Sequence, residues 1–219
     1  MSAQVSGADF CHIFRAFNIS GNDAMQLSHS KGVTEPPLLE YTIREALDRA
    51  AAAWAGALAL VSRHQGIRWT WAEFNEEVDR VATGLLAQGV QKGDRVGIWA
   101  PNCAEWAIIQ FATAKVGAIL VTINPAYRVS EVEYALNKVG CTVLVTAPSF
   151  RTSDYITMLR ELGHAKLPKV RLMVALGEQA HGGFMPWAQL RAEPDRAALA
   201  VVGATLDRND PINIQFSSG

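Results

Sequence analysis

Cysteine is scarce in this chain. Its three cysteines, Cys11, Cys103 and Cys141, are odd in number and form no C-x-x-C pair, which argues against a disulfide framework. A reducing compartment suits such thiols, and the cytosol is the simplest expectation. An excess of either charge is missing as well: 20 lysines and arginines face 21 aspartates and glutamates, a formal net charge of −1. No basic field therefore points to nucleic acid or anionic lipid as a partner. Long apolar runs are missing too. The longest apolar stretch, residues 50–61, is alanine-rich and too short to cross a bilayer, so no transmembrane segment is expected. Residues 1–30 show no basic start followed by the apolar core of a secretory signal.

Several chemical signatures are absent. The five histidines, His12, His29, His64, His164 and His181, make no H-E-x-x-H pattern and no ligand spacing with cysteine, so no metal site is expected. G-x-S-x-G does not occur, which removes the nucleophile elbow of α/β-hydrolases. G-x-G-x-x-G does not occur either, which weakens a dinucleotide reading. Acidic residues gather at helix starts, where capping accounts for them.

What remains is ordinary for a globular protein, with 49% hydrophobic and 19% charged residues. Residues 1–40 read as an irregular lead-in, and residues 41–219 as a rhythmic domain. Thr42 and Glu45 form a capping box, followed by Ile43, Ala46, Leu47, Ala50 and Trp54 at helical spacing. Residues 57–62 and 67–70 read as a hairpin around Arg63-His64-Gln65-Gly66. Thr70 and Glu73 open a second helix with Phe74, Val78, Val81 and Leu85 inward, ended by Gly89.

Beyond Gly93-Asp94 strands and helices alternate. Strands are expected at residues 95–100, 118–123, 142–146 and 170–176. Between them lie helices at residues 104–116, capped through the Asn102-to-Glu105 spacing, at 130–139, boxed by Ser130 and Glu133, and at 154–162. This rhythm implies βαβ crossovers and an α/β fold whose mostly parallel sheet is flanked by helices. The helix from Ala104 to Val116 is apolar on most sides and must be deeply covered. Trp99, Trp106 and Phe111 read as core. Residues 177–211 are looser and are expected to wrap the sheet before a last strand, residues 212–216, returns to it.

Ligands of open α/β sheets bind beyond the carboxyl ends of the strands. Asn102, the Asn124-Pro125-Ala126-Tyr127 loop, the loop after Thr146 and the Ser217-Ser218-Gly219 ending are therefore the places to look. Serine hydroxyls, glycine and backbone N–H groups after a strand suit a phosphate, although Ser-Ser-Gly is also common turn composition. The Asn-Pro loop equally reads as a rigid turn, and Arg151 as either a solvated arginine or an anion contact.

Four stretches together resemble the adenylate-forming, AMP-binding acyl-CoA synthetase family, which includes luciferases and peptide-synthetase adenylation domains. Arg68-Trp69-Thr70-Trp71-Ala72-Glu73-Phe74 is similar to its (L/R)-x-(T/S)-(Y/W)-x-E-(L/F) element. Gly93-Asp94-Arg95-Val96-Gly97-Ile98, with Pro101-Asn102 behind it, resembles its G-D-R-V strand. Ala114-Lys115-Val116-Gly117-Ala118 and Ile123-Asn124-Pro125-Ala126-Tyr127 resemble the A-x-x-x-G-A segment and its N-P-x-(Y/L/F) sequel. Ile214-Gln215-Phe216-Ser217-Ser218-Gly219 is similar to the opening of the phosphate loop (Y/F)-(T/S)-S-G-T-T-G-x-P-K. The N-P-x-Y form is similar to the fatty-acyl-CoA branch, and residues 28–39 to its medium-chain group.

The resemblance implies an AMP-forming acid–thiol ligase using ATP, Mg²⁺ and CoA, with a carboxylic acid as the remaining substrate. Adenylation enzymes for aryl, amino or dicarboxylic acids, and a short non-catalytic module, are the alternatives. Residue by residue, it assigns Ser217, Ser218 and Gly219 to the start of the ATP phosphate loop and Arg151 to the CoA nucleotide. No catalytic residue is carried over. An N-terminal piece stopping inside that loop is expected to be inactive alone, and to form dimers or self-associate through uncovered apolar surface.

Overall fold

Threonine followed three residues later by glutamate can satisfy a helix start from both directions, and the chain does this twice. The computed structural model describes residues 32–216. Chain contacts divide it into Met1–Leu39 and Glu40–Gly219; described residues 32–39 of the first unit contain no helix or strand. The second unit opens with helix α1 (Ile43–Ala53). Thr42 Oγ1 accepts from Glu45 N at 3.2 Å, and Glu45 Oε2 accepts from Thr42 N at 2.7 Å. Strands β1 (Leu58–Ser62) and β2 (Ile67–Thr70) then form an antiparallel hairpin around one 3₁₀ turn, Arg63–Gln65. Helix α2 (Trp71–Ala87) starts from the second box, Thr70 and Glu73, and buries Phe74, Val78, Val81 and Leu85.

The remaining elements alternate. They are β3 (Arg95–Trp99), α3 (Ala104–Val116), β4 (Ile119–Thr122), α4 (Val129–Val139) and β5 (Val143–Thr146), followed by a two-residue hairpin of β6 (Ser149–Phe150) and β7 (Ser153–Asp154). Then come α5 (Tyr155–Lys166), β8 (Leu172–Ala175), β9 (Met185–Pro186), α6 (Trp187–Leu190), α7 (Arg196–Gly203) and β10 (Asn213–Gln215). Six strands form one sheet in the order β10-β4-β3-β5-β8-β9, with every neighbouring pair parallel. Strands β3 and β5 are buried at every residue except Arg95, as continuous apolar runs must be when helices cover both faces.

The chain steps one way from β3 to β4 and the opposite way from β4 to β5. With right-handed crossovers, that reversal puts α3 on one face and α4 and α5 on the other. α3 is enclosed by α1, α2, α7 and the sheet, which explains why its sequence is apolar nearly all round. Its single buried cation, Lys115, donates to Asp48, Asn75 and Asp79 on α1 and α2.

Two helix starts differ from the sequence reading. Cys103, not Asn102, is the N-cap of α3, and its side chain makes no cap bond. The free Ala104 N–H instead donates 2.8 Å to Gln65 Oε1 from the hairpin turn, while Gln65 Nε2 donates 2.8 Å to Glu105 Oε2. α4 starts at Val129, and it is Glu131, reaching back to Arg128 N at 2.8 Å, that closes the start expected of Ser130 and Glu133. Residues 177–211 are also more ordered than their composition suggests. They add β9 to one sheet edge and lay α6 and α7 on α2, where Arg191 makes a two-pronged pair with Glu77 at 2.8 and 2.7 Å.

Candidate functional site

Where consecutive crossovers leave a parallel sheet on opposite faces, the loops at the carboxyl strand ends diverge and open a crevice. Here the order reverses at β3, with β4 on one side and β5 on the other, and a cleft of about 970 Å³ lies beyond the carboxyl ends of β3 and β4. Ala100, Pro101 and Asn102 follow β3; Thr122 ends β4, and Ile123, Asn124, Pro125 and Tyr127 follow it; Trp106, Phe150 and Phe216 complete the lining. The polar side chains are Asn102, Thr122 and Asn124, four aromatic rings supply apolar wall, and no lining residue carries a charge. Such a lining suits a ligand with an extended apolar or amide-bearing portion fixed by a few hydrogen bonds.

The Asn124-Pro125-Ala126-Tyr127 loop is held from several sides. Asn124 Oδ1 accepts from Ala126 N at 2.9 Å and Asn124 O from Tyr127 N at 3.0 Å, an asparagine turn of the usual kind. Behind it, Trp99 Nε1 donates 3.1 Å to Asn124 O, and the Tyr155 hydroxyl donates to Pro125 O. Trp99 and Tyr155 are stacked, with ring centroids 3.6 Å apart and planes 12° off parallel. Burial pushes the Tyr155 phenol up to about 12 from its ordinary 10.0.

Arg151 sits at the tip of the β6–β7 hairpin, in the left-handed region with φ 53°. Its side chain is exposed, and its guanidinium carbon lies 5.2 Å from the centre of the Phe150 ring. The arginine thus stands beside one aromatic wall of the cleft. Ser217, Ser218 and Gly219 lie outside the described residues; Phe216, immediately before them, lines the cleft. Asn102 and the Asn124 loop come together in it as the strand-end rule anticipates. The loop after Thr146 reaches it through Phe150.

Trp106 packs against the core, as Phe111 does, and also reaches the cleft. It is half-buried in the first turn of α3, so one part of the ring meets the core it was expected to join and another lies at the mouth of the cleft, which the sequence did not indicate. Helix position decides this: Ile108 and Ile109 further along are fully covered, whereas the first turn projects towards the strand ends. Trp99 is buried as expected, and half-buried Phe111 packs edge-on against Phe74 at 5.6 Å. Among the described residues no three His, Cys, Asp or Glu side chains assemble a metal site, so none of them is assigned to Mg²⁺. Cys103 and Cys141 are free, and burial pushes both thiols up to about 12, which keeps them protonated and unreactive.

Fold and cleft together define a parallel α/β domain with a candidate ligand site beyond the carboxyl ends of β3 and β4. The AMP-binding enzyme family matches residues 47–219, and the chain belongs to that family. Among curated proteins it is similar to the medium-chain acyl-CoA ligase ACSF2, mitochondrial, of Rattus norvegicus (39% identical over 208 residues). The Danio rerio protein of the same name is 37% identical over 206 residues. Each alignment covers 88% of this chain and 34% of the relative, so the chain spans about a third of the length of these relatives. Among solved structures, the anthranilate CoA ligase AuaEII bound to anthranoyl-AMP superposes with a TM-score of 0.69 at 26% identity, covering 83% of this chain and 33% of that one. MbtA of Mycobacterium smegmatis gives 0.68 at 26%, covering 83% and 32%. No described helix is long and apolar enough to cross a membrane.

Proposed function

We propose that this chain is the N-terminal part of an ATP-dependent, AMP-forming acyl-CoA ligase acting on a fatty carboxylate. The observation that carries the reading is the cleft beyond the carboxyl ends of β3 and β4, lined by Phe216, the residue that precedes Ser217-Ser218-Gly219 in the sequence. The family match and the ACSF2 relatives support the same assignment. In the first step a carboxylate oxygen attacks the α-phosphorus of ATP and pyrophosphate leaves. In the second the CoA thiol attacks the acyl carbon of the mixed anhydride and AMP leaves. Carboxylate and polyphosphate repel each other, so the protein's task is to offer fixed donors and hold the reactants in line.

Within that scheme Ser217, Ser218 and Gly219 supply hydroxyl and amide donors to ATP phosphate. Arg151, exposed beside Phe150, supplies a cation for the nucleotide end of CoA. Mg²⁺ neutralises the polyphosphate when bound, and no described side-chain cluster of this chain offers it a site. A protein containing this chain is expected to exchange pyrophosphate into ATP only when an acid is present. Absence of exchange with any of a panel of fatty, aryl and amino acids would remove the ligase assignment and leave a binding module.

The structural likeness to an anthranilate CoA ligase supports a second reading, an aryl acid as substrate. Exchange supported by benzoate-type acids and not by octanoate-type acids selects it. The 219 residues cover a third of the relatives' length, and the isolated chain is expected to form no thioester. Exposed apolar residues such as Trp54 (60% exposed) and Leu58 (51%) support self-association of that chain, which sedimentation reads directly. Cytosolic residence remains the simplest reading of the free thiols, the relatives named above carry the word mitochondrial, and cell fractionation decides between them.

A further inference from the structure

The Asn124 and Pro125 carbonyls lie beyond β4 and outside the sheet ladder, and Asn124 O accepts from Tyr127 N within its own turn. Both sit where the loop turns back over the core, and a partly buried carbonyl is better satisfied by a fixed donor than left to the solvent alone. Both are met from below by one aromatic pair: Asn124 O by Trp99 Nε1 at 3.1 Å, and Pro125 O by the Tyr155 hydroxyl. Trp99 belongs to β3 and Tyr155 opens α5, and both are fully buried. The stacking at 3.6 Å fixes each ring against the other, so neither donor can swing away alone.

Tyr155 is also continuous with the hairpin that carries Arg151. Its backbone N–H donates 3.0 Å to Pro148 O, and the preceding Asp154 caps α5 by accepting from Thr157 N at 3.0 Å. On the exposed side, Arg128 Nη1 donates 3.0 Å to Ser153 Oγ, tying the residue after Tyr127 to the same hairpin. Two direct ties, Tyr155 to Pro125 and Arg128 to Ser153, therefore join two loops that come from different strands, and Trp99 braces the first of them from β3. Neither Trp99 nor Tyr155 lines the cleft.

We propose that Tyr155, braced by Trp99, is a positioning residue that locks the Asn124–Tyr127 loop to the Phe150–Ser153 hairpin, so that Asn124, Tyr127, Phe150 and Arg151 meet a ligand as one rigid wall. The lock itself rests on geometry alone; its consequence for CoA rests on the reading of Arg151 given above. A wall assembled before binding spares the ligand the cost of ordering two loops.

Amide hydrogen exchange and CoA titration of the full 219-residue chain, wild type against Tyr155→Phe, test this. Removing the hydroxyl keeps the stack and releases Pro125 O. Exchange at Ala126 and Tyr127 is expected to rise about tenfold beyond any rise in β3 and β5, the equivalent of one lost buried hydrogen bond. A hydroxyl that merely supports the core raises exchange in loop and strands by the same factor, and that result, or no change, overturns the lock. Where wild type binds CoA, the variant's Kd is expected to rise by about the same tenfold; an unchanged Kd with a loosened loop overturns the link to ligand. If wild type binds no CoA, the reading of Arg151 falls and the exchange data still decide the lock. Arg128→Ala, at an exposed residue, provides a second arm: faster exchange at Tyr127 and Ser153 supports the lock, and unchanged exchange there opposes it.

Discussion

Lys115 Nζ lies 2.6 Å from Asp79 Oδ1, and the lysine side chain is only 2% exposed. Asp48 Oδ1 at 2.7 Å and Asn75 Oδ1 at 2.8 Å take its other two protons, so the ammonium is fully satisfied where three helices meet. Removing one member of a buried pair leaves the other charged and stranded, which costs more than the pair contributes. Lys115→Met is expected to destabilise the fold by about 3–5 kcal/mol, read by urea unfolding. Replacing both charges, Lys115→Met with Asp79→Leu, should recover most of that loss.

Gly84 faces the backbone of the segment laid on α2. A Cβ at that position would stand 1.6 Å from Leu190 O. Helix propensity alone favours Gly84→Ala by about 1 kcal/mol, whereas overpacking opposes it by roughly 1–3 kcal/mol. The contact is with backbone and cannot be relieved by a rotamer, so the opposing effect wins. Gly84→Ala is expected to lower stability and to open residues 187–203 to protease; greater stability with α6 still in place would contradict the close approach.

Gln65 is a helix cap delivered from another element. Its Oε1 accepts from Ala104 N at 2.8 Å and from Ser62 Oγ at 2.6 Å. Gln65→Ala should cost about 1 kcal/mol, the usual worth of a cap. It should also speed amide exchange in the first turn of α3, next to Trp106 at the cleft mouth. Equal exchange at Ala104 in both proteins would show that water replaces the cap without loss.

These three residues mark where the sequence was legible and where it was not. Thr42 and Thr70 announce their helices because threonine and glutamate act within one turn, and the parallel sheet was legible from the alternation of apolar strands and helices, whereas the order of its strands and the addition of β9 were not. The strand-end rule likewise brought Asn102 and the Asn124 loop to one cleft. Gln65 was invisible as a cap because it lies 39 residues before the N–H it satisfies. Phe150 and Phe216 were missed as lining because an aromatic at a strand end reads the same whether it faces core or crevice, and Trp106 because an aromatic in the first turn of an apolar helix reads as core. Stability of the Asn124 loop depends on Tyr155, 30 residues beyond Pro125, with no local signal of the bond.

Alkaline pH offers a fourth test. Burial raises Cys103 and Cys141 from 9.0 to about 12 and Tyr155 from 10.0 to about 12. The folded chain therefore holds protons that the unfolded chain has released. Their contribution is complete below pH 9, and stability falls as pH rises from there towards about 12. Urea midpoints should be level from pH 7 to 9 and then decline, and Tyr155→Phe should flatten the part of the decline above pH 10. A midpoint that rises above pH 9 would reverse the sign and contradict this burial.

The pairing of β10 with β4 has a consequence in time. Asn213 aligns with Leu120, and Gln215 with Thr122, so about ninety residues must be made after β4 before its outer partner exists. At synthesis rates of roughly 5–20 residues per second, a nascent chain carries that strand bare-edged for several seconds. During this interval the cleft lacks Phe216, and the unpaired edge can recruit the wrong strand, from this chain or from a neighbour on the same message. Slowing translation between codons 123 and 212 should therefore lower soluble yield more than slowing it upstream of β3.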